Sequence, residues 1–149
     1  MPSLFEPETS ESIIKRIHRL QPTSQRLWGK MTVSQMLAHL NAVMQIATGD
    51  SKEKTNLIGK LIGPFIKRVV MTEKPFKKDL PTGPNFIIKE EKDFEVEKQK
   101  LLATYNKFIA GGDTGAEGLK HPLFGKLTAY EWGFSQWKHY DHHLRQFGV

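Results

Sequence analysis

The chain has 149 residues, enough for one domain with a real core, and a formal charge of +6. It has no cysteine, which excludes disulfides, thiolate zinc sites and cysteine nucleophiles together. Its lysines are dispersed among glutamates, and the densest basic points, Lys67-Arg68 and Lys77-Lys78, are short, so a solvated basic surface is favoured over a nucleic-acid footprint. The opening stretch MPSLFEPETSES is acidic and carries no hydrophobic h-region. Together with the missing cysteines, this sets the expectation of a cytoplasmic protein.

Residues 9–20 place Ile13, Ile14, Ile17 and Leu20 on one face of a short amphipathic helix, with Thr9 or Ser10 as its cap and Pro22 closing it off. His18 sits at the boundary of that face and is given no catalytic role. Residues 21–31 read as a loop, with Trp28 as an anchor beneath it. Thr32 and Gln35 form a capping box for a second helix, whose stripe of Val33, Met36, Leu37, Leu40, Val43, Met44 and Ala47 runs to a stop at Gly49. His39 falls inside the edge of this stripe. A histidine on a buried face needs a partner, either a backbone carbonyl or hydroxyl, or a metal shared with other histidines.

Residues 57–70, LIGKLIGPFIKRVV, are too short to span a bilayer and are interrupted by Gly59, Gly63 and Pro64, so no membrane partner is expected. The pairs Leu57/Ile58, Leu61/Ile62, Phe65/Ile66 and Val69/Val70 make a wide apolar face, with Lys60 and Lys67 opposite. A packed or broken helix that covers the domain or forms a dimer contact is favoured over an interfacial one, and Pro64 is placed to start a second helical piece. Residues 71–89 form a long crossover loop pinned by Phe76, Phe86 and Ile87. A third long helix is expected from about Glu90 to Ala110, with Phe94, Leu101, Tyr105 and Phe108 on one face and Gly111-Gly112 as its end. A second loop over 111–127 contains His121-Pro122-Leu123-Phe124-Gly125.

The last helix, TAYEWGFSQWKHYDHHLRQ, opens with a second capping box, Thr128 and Glu131. At 100° per residue, Trp132, Gln136, His139, His143 and Gln146 fall on one side. His139 and His143 are i,i+4 neighbours whose rings can converge on one ion, whereas His142 points about 100° away from His143. Asp141 also points away from the histidine face. Four amphipathic helices with few strand signals make an all-α bundle the expected fold, with any metal or cofactor site built from facing helices.

Trp28–Leu40, WGKMTVSQMLAHL, and His121–Phe147, HPLFGKLTAYEWGFSQWKHYDHHLRQF, resemble the DinB/YfiT-like superfamily, and more closely its small bacterial branch of unknown function. The resemblance implies a four-helix bundle with an up-down-down-up course, a long crossover and an extra short helical segment, often as a homodimer. It also implies a divalent metal held by one histidine of the second helix and an H-x-x-x-H pair of the last, positions that fall on His39, His139 and His143. Where relatives often have Arg-Gly-Gln after the second histidine, this chain has Leu144-Arg145-Gln146. The glutamine matches, but the arginine sits one place later and its role is not carried over.

Three histidines leave a coordination position open for water or substrate. Zinc suits imidazole, while nickel, iron and manganese stay open. Relatives resemble thiol-dependent transferases that use a low-molecular-weight thiol such as bacillithiol or mycothiol, and others look like hydrolases or isomerases. The expectation is therefore a metal-dependent enzyme acting on a small-molecule substrate. The alternative is a non-catalytic metal- or ligand-binding bundle of a stress response. No carboxylate marks itself as a general base. His121, Trp132, Gln136 and Gln146 stand as pocket walls or supports of the metal ligands, each with an ordinary packing or loop explanation beside it.

Overall fold

The computed structural model describes residues 1–52 and 57–149, with the side chains at 57–60, 62 and 69 outside that description. The protein is mostly helical. In chain order it has α1 (Pro7–Arg19), α2 (Val33–Ala47), α3 (Leu57–Val70), a 3-10 turn (Pro84–Phe86), α4 (Phe94–Ala116), a hairpin of β1 (Lys120–His121) and β2 (Gly125–Lys126), and α5 (Ala129–Gln146). The core is one cluster in which Ile13 and Ile17 of α1, Met36, Leu37 and Leu40 of α2, Leu101 and Tyr105 of α4, and Trp132, Tyr140 and Leu144 of α5 are buried together. Among the described residues, no helix is long and apolar enough to cross a membrane.

Local sequence explains where the two site-bearing helices begin. Thr32 and Gln35 close a reciprocal capping box at the start of α2, and Thr128 and Glu131 do the same for α5. Each box satisfies two backbone donors that would otherwise face the loop without partners. α2 lies along α4 and against α5, and α1 packs on α5. Arg16 of α1 clamps that second contact by donating to the carboxylate of Asp141 at 2.9 Å, which places Asp141 away from the histidines. Tyr105 of α4 meets Ser10 of α1 hydroxyl to hydroxyl at 3.0 Å in the core.

Several elements depart from the sequence expectation. α1 starts at Pro7, because a proline is favoured at N1 where its missing N–H costs nothing. α4 starts four residues later than Glu90, capped by Asp93, which accepts from the Val96 amide at 2.9 Å. Its regular course breaks at Gly112, whose φ of 54° is non-helical, as the glycine pair predicts, but a further helical turn follows to Ala116. α3 runs through Pro64 instead of restarting there. On α3, Leu61 and Phe65 are each 75% exposed. Ile66 and Val70 are half-buried, and the other four residues of the expected apolar face, Leu57, Ile58, Ile62 and Val69, with Lys60 opposite, lie outside the described side chains. Phe86 packs on the core and Phe76 is half-buried, but Ile87 is exposed and does not pin the crossover loop.

Candidate metal centre

α2 presents His39 and α5 presents His139 and His143 to one point. One ring nitrogen from each lies within 4.8 Å of the other two, so the three could hold a metal ion. The ring centroids are 4.8–5.0 Å apart, and the rings meet edge to face. Their spacing follows from the helix: His139 and His143 are one turn apart on α5, and α2 crosses that turn with His39.

Two of the three tautomers are set by neighbours. The Nδ1–H of His39 donates to the Phe86 carbonyl at 3.0 Å, which leaves Nε2 with its lone pair toward the cluster. For His143 the chain of logic is longer. The Trp28 carbonyl can only accept, so the Gln146 amide turns its Nε2–H₂ there at 2.8 Å. That leaves Gln146 Oε1 against His143 Nδ1 at 2.8 Å, so Nδ1 carries the proton and His143 Nε2 is bare. An imidazole held through one nitrogen by an acceptor while the other faces an ion is the usual arrangement of a metal-ligating histidine.

His139 completes the arrangement. Its Nε2 lies 3.0 Å from Nε2 of His39. Two bare lone pairs at that distance repel, so either neutral His139 carries its hydrogen on Nε2 and donates to His39, or a metal ion takes that hydrogen's place. His139 Nδ1 is buried with no hydrogen-bond partner among the described residues. The donor set therefore fits a divalent ion that accepts imidazole nitrogen.

Electrostatics keep these rings neutral without metal. Burial, with a smaller contribution from the charge of His39, pushes His143 down to about 3. Burial also lowers His39, against the opposing bond to Phe86, and lowers His139 strongly, with His143 and His39 adding repulsion. Neutral imidazole is the form that binds metal.

The cluster opens on a cavity of about 430 Å³, whose walls include Val43 and Ile46 of α2, Phe76 and Phe86 of the crossover loop, and Phe124 of the hairpin. His121 and Gln136 line this cavity. Trp132 does not; it is fully buried and backs the His121 ring at 5.6 Å. Gln146 supports His143 from the far side and lines a second cavity with Trp28 and Gly29. His142 is not one of the three residues that converge; its ring meets that of His143 edge to face at 5.0 Å, lies 5.7 Å from each of the Trp28 and Phe76 rings, and lines both cavities.

The backbone carbonyls of Phe86 and Trp28 escape sequence reasoning, because every residue carries a carbonyl and only the fold selects these two. Lys138 escapes it as well. It is buried, donates to the carbonyls of Val70 and Thr72, and ties the end of α3 to α5. Only its place on the inward half of the last helix signals it.

No curated protein and no solved structure matches the chain. Residues 5–148 match a family described as protein of unknown function, DUF1569. Because the match covers nearly the whole length, the chain belongs to the DUF1569 family.

Proposed function

We propose that this protein is a DinB/YfiT-like helical bundle of up-down-down-up course in which His39, His139 and His143 hold a divalent metal, and that it is a metal-dependent enzyme. Its reaction is the attack of a small thiol or water on an electrophilic small molecule, giving transfer or hydrolysis. The observation that carries this reading is the pair of anchors on His39 and His143. Each spends its Nδ1–H on a fixed acceptor, Phe86 or Gln146, and turns Nε2 toward His139.

A bound divalent ion supplies Lewis acidity, lowering the pKa of a coordinated water or thiol or polarising a substrate oxygen. The histidines hold the ion as neutral ligands, so its positive charge stays uncompensated and attracts an anion. The chain has no cysteine to serve as a covalent nucleophile. Val43, Ile46, Phe76 and Phe124 give the adjoining cavity apolar walls suited to the body of a small organic substrate. An open cavity beside the ligands favours an enzyme over a closed structural site.

Elemental analysis of protein purified without a histidine tag tests the site. Stoichiometric divalent metal in the wild type, lost in His39→Ala, His139→Ala and His143→Ala and kept in His142→Ala, is the expected pattern. Retention in His143→Ala with loss in His142→Ala means that the ligands are wrongly chosen. Metal-loaded protein is then offered a haloarene or an epoxide with and without a low-molecular-weight thiol. Thiol-dependent product that disappears in His143→Ala supports transfer, and thiol-independent product supports hydrolysis. Metal without turnover across a broad panel makes the protein a metal-binding bundle instead.

A further inference from the structure

The cavity has a second polar feature, on the hairpin wall. His121 ends β1, and its Nδ1 accepts from the backbone N–H of both Leu123 and Phe124, at 3.1 Å each. Two donors on one nitrogen leave no room for a proton there. The neutral ring must therefore carry its hydrogen on Nε2, and burial keeps it neutral, with a pKa lowered to about 4. The ring cannot swing, because it stacks on Phe124 at 4.1 Å and is backed by Trp132. With Nδ1 turned to the hairpin backbone, the Nε2 edge is left to border the cavity. Among the described residues, the hydrogen bonds of His121 are both made at Nδ1.

Gln136 adds a second, independent sign on the α5 wall. It is 2% exposed, and its Oε1 is buried without a partner among the described residues, although the side chain lines the same cavity. A buried amide oxygen left unpaired costs roughly 1–3 kcal/mol, which a hydrogen-bond donor on a bound molecule would relieve.

We propose that His121 is a substrate-binding hydrogen-bond donor. Its Nε2–H donates to the carbonyl or carboxylate oxygen of a small molecule whose apolar body fills the cavity, and an O–H or N–H elsewhere on that molecule would donate to Gln136 Oε1. The inference rests on the metal-enzyme reading for its reaction and adds the class of substrate. A neutral imidazole in this role polarises the substrate oxygen by donating a hydrogen bond, and it does not hand over its proton. Its value lies in being fixed before the ligand arrives.

Benzoate is the probe, since it joins an apolar ring to a carboxylate. Long-range proton–nitrogen NMR on zinc-loaded, isotope-labelled protein reads the His121 tautomer, and calorimetry reads benzoate affinity. The expected results are an Nε2–H tautomer, His121 resonances that shift on adding benzoate, and affinity about tenfold weaker in His121→Phe at unchanged zinc content. The wild-type NMR decides the matter even if His121→Phe fails to fold. An Nδ1–H tautomer, unmoved His121 resonances, or no benzoate binding overturns the proposal. Wild-type protein that takes up no zinc, while benzoate still shifts His121, removes the metal reading and leaves this one standing.

Discussion

His143 and Gln146 are joined by a 2.8 Å hydrogen bond from Nδ1–H to Oε1, and the same glutamine donates its amide to the Trp28 carbonyl at 2.8 Å. The loop before α2 therefore orients a ring on α5 through one side chain. Gln146→Leu keeps the bulk and removes both bonds. It should weaken zinc binding roughly 10- to 100-fold, as is usual for the loss of a support behind a ligand. Chelator competition measures this, and wild-type affinity in Gln146→Leu would show that the anchor does not matter.

Gly29 tests the same link from the loop side. Its φ is 78°, and a Cβ there would stand 2.5 Å from the Gln146 amide nitrogen. Gly29→Ala meets both the left-handed backbone cost, about 1 kcal/mol, and that collision. It should lower zinc affinity in the same direction as Gln146→Leu and add little in the double variant, because both act through one bond. Fully additive losses would separate Gly29 from the site.

The helical parts of this arrangement are legible in the sequence because they depend on local rules. Capping boxes mark the starts of α2 and α5, and the i,i+4 spacing puts His139 and His143 on one face. Asp141 is on another, where it meets Arg16. His39 is legible only as a histidine on a buried stripe, since periodicity does not say what faces it. The structure gives it the Phe86 carbonyl at Nδ1 and, at Nε2, two further histidines that could share a metal with it. The course of α3 through Pro64 and the exposure of Ile87 depend on tertiary packing, which a local pattern does not contain. The fixed tautomer of His121 needs the hairpin turn to fold back on its own first residue.

Acid should destabilise the metal-free protein in a defined window. His121 falls from an ordinary 6.5 to about 4 on folding. Above about pH 6.5 both states are neutral at this group, and its stabilising effect is fully present. As pH drops toward 4, the unfolded chain binds a proton that the folded chain refuses, so stability falls through that window. The loss from this residue approaches about 3 kcal/mol. His143, lowered to about 3 by the same burial, continues the decline in the metal-free state. Urea unfolding between pH 7 and pH 4 should show the fall, with a shallower slope in His121→Gln. An unchanged slope in that variant would mean that His121 is not the buried neutral group.

Lys138 offers a test of what holds the cavity wall. Its side chain is 3% exposed, and Nζ donates to the carbonyls of Val70 and Thr72 at 2.7 and 2.6 Å. The ammonium also lies over the Phe76 ring at 4.7 Å. It thus satisfies carbonyls at the end of α3, where the helix dipole favours a cation, and it holds a cavity-lining phenylalanine. Burial lowers the Lys138 pKa. Lys138→Met fits the space but removes the donors, and should cost about 2–3 kcal/mol, or roughly 5–10 °C in melting temperature. Lys98 supplies the control. Its Nζ also donates to two carbonyls, of His18 and Leu20, at 3.3 and 3.2 Å, but nearer the surface, where water can replace it. Lys98→Met should therefore cost under about 1 kcal/mol. Amide exchange adds a local readout: in Lys138→Met, protection should fall first around residues 67–72. Equal melting losses in the two variants, or unchanged exchange at the end of α3, would show that the buried lysine does not fasten α3 to α5.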